Sequence, residues 1–137
     1  MSSSLFGSQF TLFEKSLDLQ NQRLGTIANN VANADTPGYH AKRLEFDQQL
    51  RQAYEGGDDN LTMAATDPRH FDTGGSVADV QPRVREVAQG GRVDGNTVNT
   101  QQELERLGET RLLNRVVSEL AARRASGIQY AIKQGGQ

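Results

Sequence analysis

The sequence predicts a mainly α fold: long N- and C-terminal helices pairing as a coiled coil, with a polar irregular middle that holds a short helix and one or two strands. Three observations predict it. A heptad seam, apolar but for one position, runs over residues 5–34, a second helical stretch runs over 99–132, and residues 35–98 collect turns, glycine pairs and few aliphatics. At 137 residues and 35% hydrophobic side chains the chain fits one unit, with a core that is not generous.

In the first helix Phe6, Phe10, Phe13, Leu17, Gln20, Leu24, Ile27, Val31 and Ala34 step by four and three without a slip, a heptad seam with one polar position at Gln20. Gly25 is the glycine in the middle of the stretch, costing ~1 kcal/mol relative to alanine. Fully helical, residues 5–34 span roughly 45 Å, long for a helix that only covers a small globule. A second stripe, Leu5, Leu12 and Leu19, lies more than about 90° away. The rest of the surface is Ser, Thr, Gln and Asn, with Glu14, Lys15, Asp18 and Arg23 the charges before Asp35. A helix in water is normally backed by Lys and Glu. Two apolar stripes on an amide-rich helix therefore point to several neighbours, against the plainer reading of a buried helix in a small bundle.

Pro37 drives Thr36 out of the α region, so this helix stops near Asp35, and Gly38 suits the positive φ of a type II turn. A short amphipathic stretch follows from Leu44 through Phe46 and Leu50 to Tyr54 and ends at Gly56-Gly57-Asp58-Asp59-Asn60. Residues 56–98 are irregular, except that Val80 to Val87 alternates apolar and charged residues after Pro82, the pattern of one exposed edge strand. The last helix starts near Asn99 or Thr100, where Thr100-Gln101-Gln102-Glu103 fits a capping box, and continues to about Ile132. Leu113, Val117, Leu120, Ala121, Ile128, Ala131 and Ile132 share its broad apolar face, while Leu104 and Leu107 lie on another side. The division is one unit over 1–137: helix 5–34, turn and polar insert 35–98, helix 99–132.

Composition and motifs exclude most chemistry. With no cysteine there is no disulfide framework, thiolate nucleophile or sulfur-held zinc. His40 and His70 sit thirty residues apart in loops, and Asp67-Pro68-Arg69-His70 offers two ligands where a metal site needs three or four. Asp58-Asp59-Asn60 lacks the closing glutamate of a calcium loop, and neither Gly74-Gly75 nor Gly90-Gly91 leads into a phosphate loop. No catalytic, cofactor-binding or metal residues are expected. Arg106, Arg111, Arg115, Arg123 and Arg124 scatter around the last helix among Glu103, Glu105, Glu109 and Glu119, and the net charge is -2, so nucleic acid is not an expected partner. No apolar run reaches the ~18 residues of a membrane span, and the N-terminus lacks the basic and apolar regions of a cleaved signal.

The informative stretch is Ala28 to Tyr39: a helix end rich in small residues and amides, then a rigid turn presenting an aromatic. Asn30, Asn33, Thr36, Pro37, Gly38 and Tyr39 match, position for position, the Asn-x-x-Asn-x-x-Thr-Pro-Gly-aromatic motif of the axial proteins of the bacterial flagellum. The chain resembles that family, and its rod members in particular. Asp67-Pro68-Arg69-His70, the Asp94 to Asn99 lead-in to the last helix and the Ser126 to Ile132 ending add to the resemblance, which covers roughly 1–55 and 94–132. Asn99 stands where rod members usually have Asp, and Asp67 where a His often precedes the proline; asparagine caps a helix as well as aspartate.

The resemblance implies a structural subunit of the proximal rod in the flagellar basal body. Its terminal helices would polymerise into an inner coiled-coil layer of the drive shaft, and it would leave the cell through the flagellar type III export apparatus without a cleaved signal. The implied partners are other rod subunits and the basal-body ring and export-gate junction, with no membrane insertion. The assembly seam would be Phe6, Phe10, Phe13, Leu17, Leu24, Ile27, Val31, Leu113, Val117, Leu120 and Ile128. One seam would take the chain's own last helix and the Leu5, Leu12, Leu19 stripe would take neighbours. The rival readings are a cytosolic coiled-coil adaptor or export chaperone, stable as a dimer alone, another proximal-rod subunit, and a small enzyme, for which no constellation exists.

Overall fold

A computed structural model describes residues 3–56, 76–88 and 92–135. The order is α1 (Ser3–Ala32), β1 (Lys42–Glu45), α2 (Asp47–Gly56), a 3-10 turn (Val77–Asp79), β2 (Arg83–Glu86) and α3 (Thr100–Gly135). The mainly helical class with a two-stranded middle agrees with the sequence reading. Asp58-Asp59-Asn60, Asp67-Pro68-Arg69-His70, Gly74-Gly75 and Gly90-Gly91 lie outside the described residues, as do the side chains of Leu5 and Phe6.

α1 and α3 pair antiparallel. Asn114 Nδ2 donates to Asn21 Oδ1 at 3.0 Å, and Asn30 near the end of α1 meets Glu103 near the start of α3. The face that α3 turns toward α1 carries Leu107, Thr110, Asn114, Val117, Ala121, Ala125 and Ile128, each buried or half-buried and each three or four residues from the last. Leu113 and Leu120, grouped with Val117 by the sequence, fall beside that face and stay 45% and 49% exposed.

β1 and β2 pair antiparallel, with Lys42 opposite Glu86 and Glu45 opposite Arg83. Pro82 precedes β2, where its missing N–H costs no ladder bond. The stretch expected as helix from Leu44 divides here: Leu44 belongs to β1, and α2 opens at Asp47, with the Phe46 carbonyl accepting from Leu50 N at 2.9 Å. Asp47 in the first turn suits the positive end of the helix dipole.

The apolar core joins Leu19, Phe46, Ala53 and Val80, with Leu44, Leu50 and Val77 against it. This corrects the reading of the second stripe at Leu19. Leu19 has no exposed surface, and what covers it is the chain's own hairpin region, not a neighbouring molecule. Its partners lie far along the sequence, where a helix pattern cannot reveal them. The capping box is also corrected. Asn99 caps α3: its Oδ1 accepts from Gln102 N at 3.2 Å and its carbonyl from Glu103 N at 3.0 Å. Glu103, released from capping, is drawn into the interior.

Candidate functional site

The Asn30 to Tyr39 motif and the Asp94 to Asn99 segment meet where α1 ends and α3 begins. The last turn of α1 tightens, Asn33 N donating to Asn29 O and Asn30 O and Ala34 N to Val31 O. Thr36 to Tyr39 is the expected type II turn: Tyr39 N donates to Thr36 O at 3.2 Å, Pro37 holds the second position, and Gly38 has φ +70°. Gly95, at φ +76°, comes so near that a Cβ on it would stand 3.7 Å from Gly38 Cα. Gly38 N donates to Asp94 O at 2.9 Å, Thr97 N to Tyr39 O at 3.0 Å, and Ala41 N to Thr97 Oγ1 at 2.8 Å.

Asn96 closes this junction. Its buried Nδ2 donates to the carbonyls of Asn33, Ala34 and Thr36 at 2.8–3.0 Å, three acceptors that the chain turns inward just past the end of α1. Its Oδ1 accepts from Val98 N at 2.7 Å, and Asp94 Oδ1 accepts from Asn96 N at 3.1 Å. Arg92 Nη1 adds a donor to Ala34 O at 2.8 Å. A side chain sixty residues away therefore caps α1, a role the sequence did not reveal. The only signal was an asparagine directly after a turn glycine.

Asn30, wholly buried, binds three elements at once. Its Oδ1 accepts from Lys42 N at 2.9 Å and from the Tyr39 hydroxyl at 3.3 Å. Its Nδ2 donates to Lys42 O at 2.8 Å and to Glu103 Oε2 at 3.0 Å. Glu103, equally buried, has Arg43 Nη2 at 3.2 Å from its other oxygen, an ion pair without hydrogen-bond alignment. Arg23 packs over the Phe46 ring at 4.1 Å and pairs with Asp47. α1, β1 and α3 are thus tied by buried polar groups whose isolation would cost several kcal/mol. A groove of about 590 Å³ between these elements is lined by both signs of charge, including Arg43, Glu45, Arg85, Glu105 and Arg106.

The six motif residues converge on this junction: Asn30 and Tyr39 bond each other, Asn33 Oδ1 accepts from Thr36 Oγ1 at 3.3 Å, and Pro37 and Gly38 form the turn. The seam residues divide. Ile27 is buried, and Phe10, Phe13, Leu17, Leu24, Val31, Val117 and Ile128 are half-buried. Leu113 and Leu120 stand exposed. Phe6 belongs to α1, its side chain outside the described part. His40 is exposed, and among the described residues no group of acidic, His or Cys side chains could hold a metal ion. Among them, too, no helix is long and apolar enough to cross a membrane.

Part of the junction falls within a match to a known family. The family described as flagella basal body rod protein matches residues 16–40, the second half of α1 and the turn. The flagellar basal body rod protein FlgB of Cereibacter sphaeroides is 33% identical over 128 residues, 93% of this chain and 96% of its own length. Its counterpart in Aeromonas hydrophila is 30% identical, covering 93% of this chain and 95% of the relative. FlgB of Escherichia coli strain K12 is 27% identical, covering 89% and 91%. Similarity at this level over nearly the whole of both chains means that this chain belongs to the FlgB family of flagellar basal body rod proteins.

Proposed function

We propose that the chain is a structural subunit of the proximal rod, polymerising through its two long helices into the drive shaft and transmitting torque, with no catalytic step and no cofactor. The observation that carries this reading is the unfinished half of the helix pair. Every buried side chain among the described residues falls between Leu19 and Thr110, while α3 continues to Gly135 with Leu112, Leu113, Val116 and Leu120 exposed. Exposed apolar rows of this kind mark surfaces that other molecules cover. Neighbouring rod subunits are the proposed occupants in the assembled shaft, with the ring and export-gate junction at its base. The flagellar type III export apparatus is the proposed route out of the cell, without cleavage of a signal.

The test is complementation of a strain lacking the protein, with isolation of basal bodies. The chain is expected in the rod fraction. Leu17→Asp, on the seam outside the buried junction, is expected to be made and exported while rods fail to form. Intact rods and normal motility in Leu17→Asp would contradict assembly through this seam.

A further inference from the structure

α3 carries an apolar stripe that its own chain leaves uncovered, and the stripe reads the same from either end apart from the sign of its charges. At 100° per residue Leu112, Val116 and Leu120 lie within about 40° of one line, and Glu109 and Arg123 continue that line on either side. Val116 is the midpoint: four residues lead to Leu112 and to Leu120, seven to Glu109 and to Arg123. All five side chains are exposed, Leu112 by 63%, Val116 by 44% and Leu120 by 49%. The stripe stands about 120° from the face holding Thr110, Val117 and Ala121, so the pairing with α1 leaves it open.

We propose that two copies of the free chain dimerise through this stripe, α3 against α3, antiparallel about a two-fold axis at Val116. In that arrangement Leu112 of each copy meets the partner's Leu120, and each Glu109 meets the partner's Arg123. The charge pattern selects the direction, because parallel packing would set Glu109 on Glu109 and Arg123 on Arg123. Arg123 already pairs with Glu119 on its own helix, at 2.7 Å and in an exposed position, and can hold both carboxylates from its fork. A two-fold contact closes on itself, whereas a shaft needs contacts that propagate. The dimer therefore hides the stripe before assembly and must open for it. One helix face is a small interface, so a monomer–dimer equilibrium is expected.

The chain has no cysteine, which makes the test clean. In Val116→Cys the two thiols face each other across the axis, and mild oxidation of the full chain should give a disulfide-linked dimer. Ser118→Cys, exposed on another side of α3, should give little. Sedimentation of the unmodified chain over a concentration series should show reversible dimer. Glu109→Arg or Arg123→Glu turns two symmetric ion pairs into like-charge contacts and should weaken association about tenfold. The double exchange should recover it, with helix content by circular dichroism unchanged throughout. A strictly monomeric chain, equal cross-linking of both cysteine variants, or a double exchange as weak as the single ones would each overturn the dimer. Rod assembly is scored separately, so a monomeric chain that still builds rods refutes this proposal and not the role in the shaft.

Discussion

The two halves of the α1–α3 pair are built on different principles. Near the junction, Asn30, Asn96 and Glu103 are buried to 1% exposure or less, and hydrogen bonds cross between elements far apart in sequence. In the other half, α1 before Leu19 and α3 after Thr110 contain no buried side chain among the described ones, and the hydrogen bond from Asn114 to Asn21 stands at its border with the first. The first half covers its own apolar groups and bonds most of its buried polar ones, leaving Gln20 Oε1, Arg43 Nη1 and Glu103 Oε1 without a hydrogen bond. The second leaves Leu112, Leu113, Val116, Leu120, Tyr130 and Ile132 in water. A chain made this way carries a folded anchor and a pair of helical arms, which the proposed assembly would complete with neighbouring subunits.

The difference can be broken from the junction side first. Arg43→Met leaves the Glu103 carboxylate buried without its cation and is expected to lower stability by roughly 3–5 kcal/mol, read as a fall in the urea midpoint. Asn96→Ala removes the shared donor from three carbonyls at the end of α1, an expected loss of about 1–3 kcal/mol in the same measurement. Gly38→Val forces a β-branched residue to φ +70° and should cost ~1–3 kcal/mol, with rods misassembled because each subunit repeats the distortion. His40→Ala, exposed two residues on, should be nearly silent in both stability and motility. The smallest effect on the isolated chain belongs to the arms. Leu113→Asp or Leu120→Asp should shift stability by no more than about 0.5 kcal/mol, yet abolish rods in complementation. A large loss of stability in either would erase the distinction between the halves.

Much of this was legible in the sequence because it is periodic or local. The heptad seam gave α1, Pro37-Gly38 gave the turn, and alternation after Pro82 gave β2. What was hidden depends on distance along the chain. Leu19 looked like a surface for neighbours because its cover, Phe46 and Val80, comes 27 and 61 residues later. Glu103 matched a capping box, but Asn99 reaches the helix N–H groups first and leaves the carboxylate to Arg43. The helix expected from Leu44 starts too early because Phe46, Leu50 and Tyr54 keep a helical step of four, whereas Leu44 and Phe46, two apart, carry the strand period. Asn96 looked like any loop asparagine, since nothing local marks a side chain that caps another helix.

Hydrogen exchange of the full chain, at a concentration low enough to keep it monomeric, tests the central claim most directly. Amides of residues 19–32, 38–46 and 94–110 should exchange slowly, near the rate set by global unfolding, because their bonds break only when the junction opens. Amides of residues 5–17 and 113–132 should exchange faster by orders of magnitude, and slow down once the chain is incorporated into rods. Strong and equal protection along both helices in the dilute monomer would contradict the division into a finished anchor and unfinished arms.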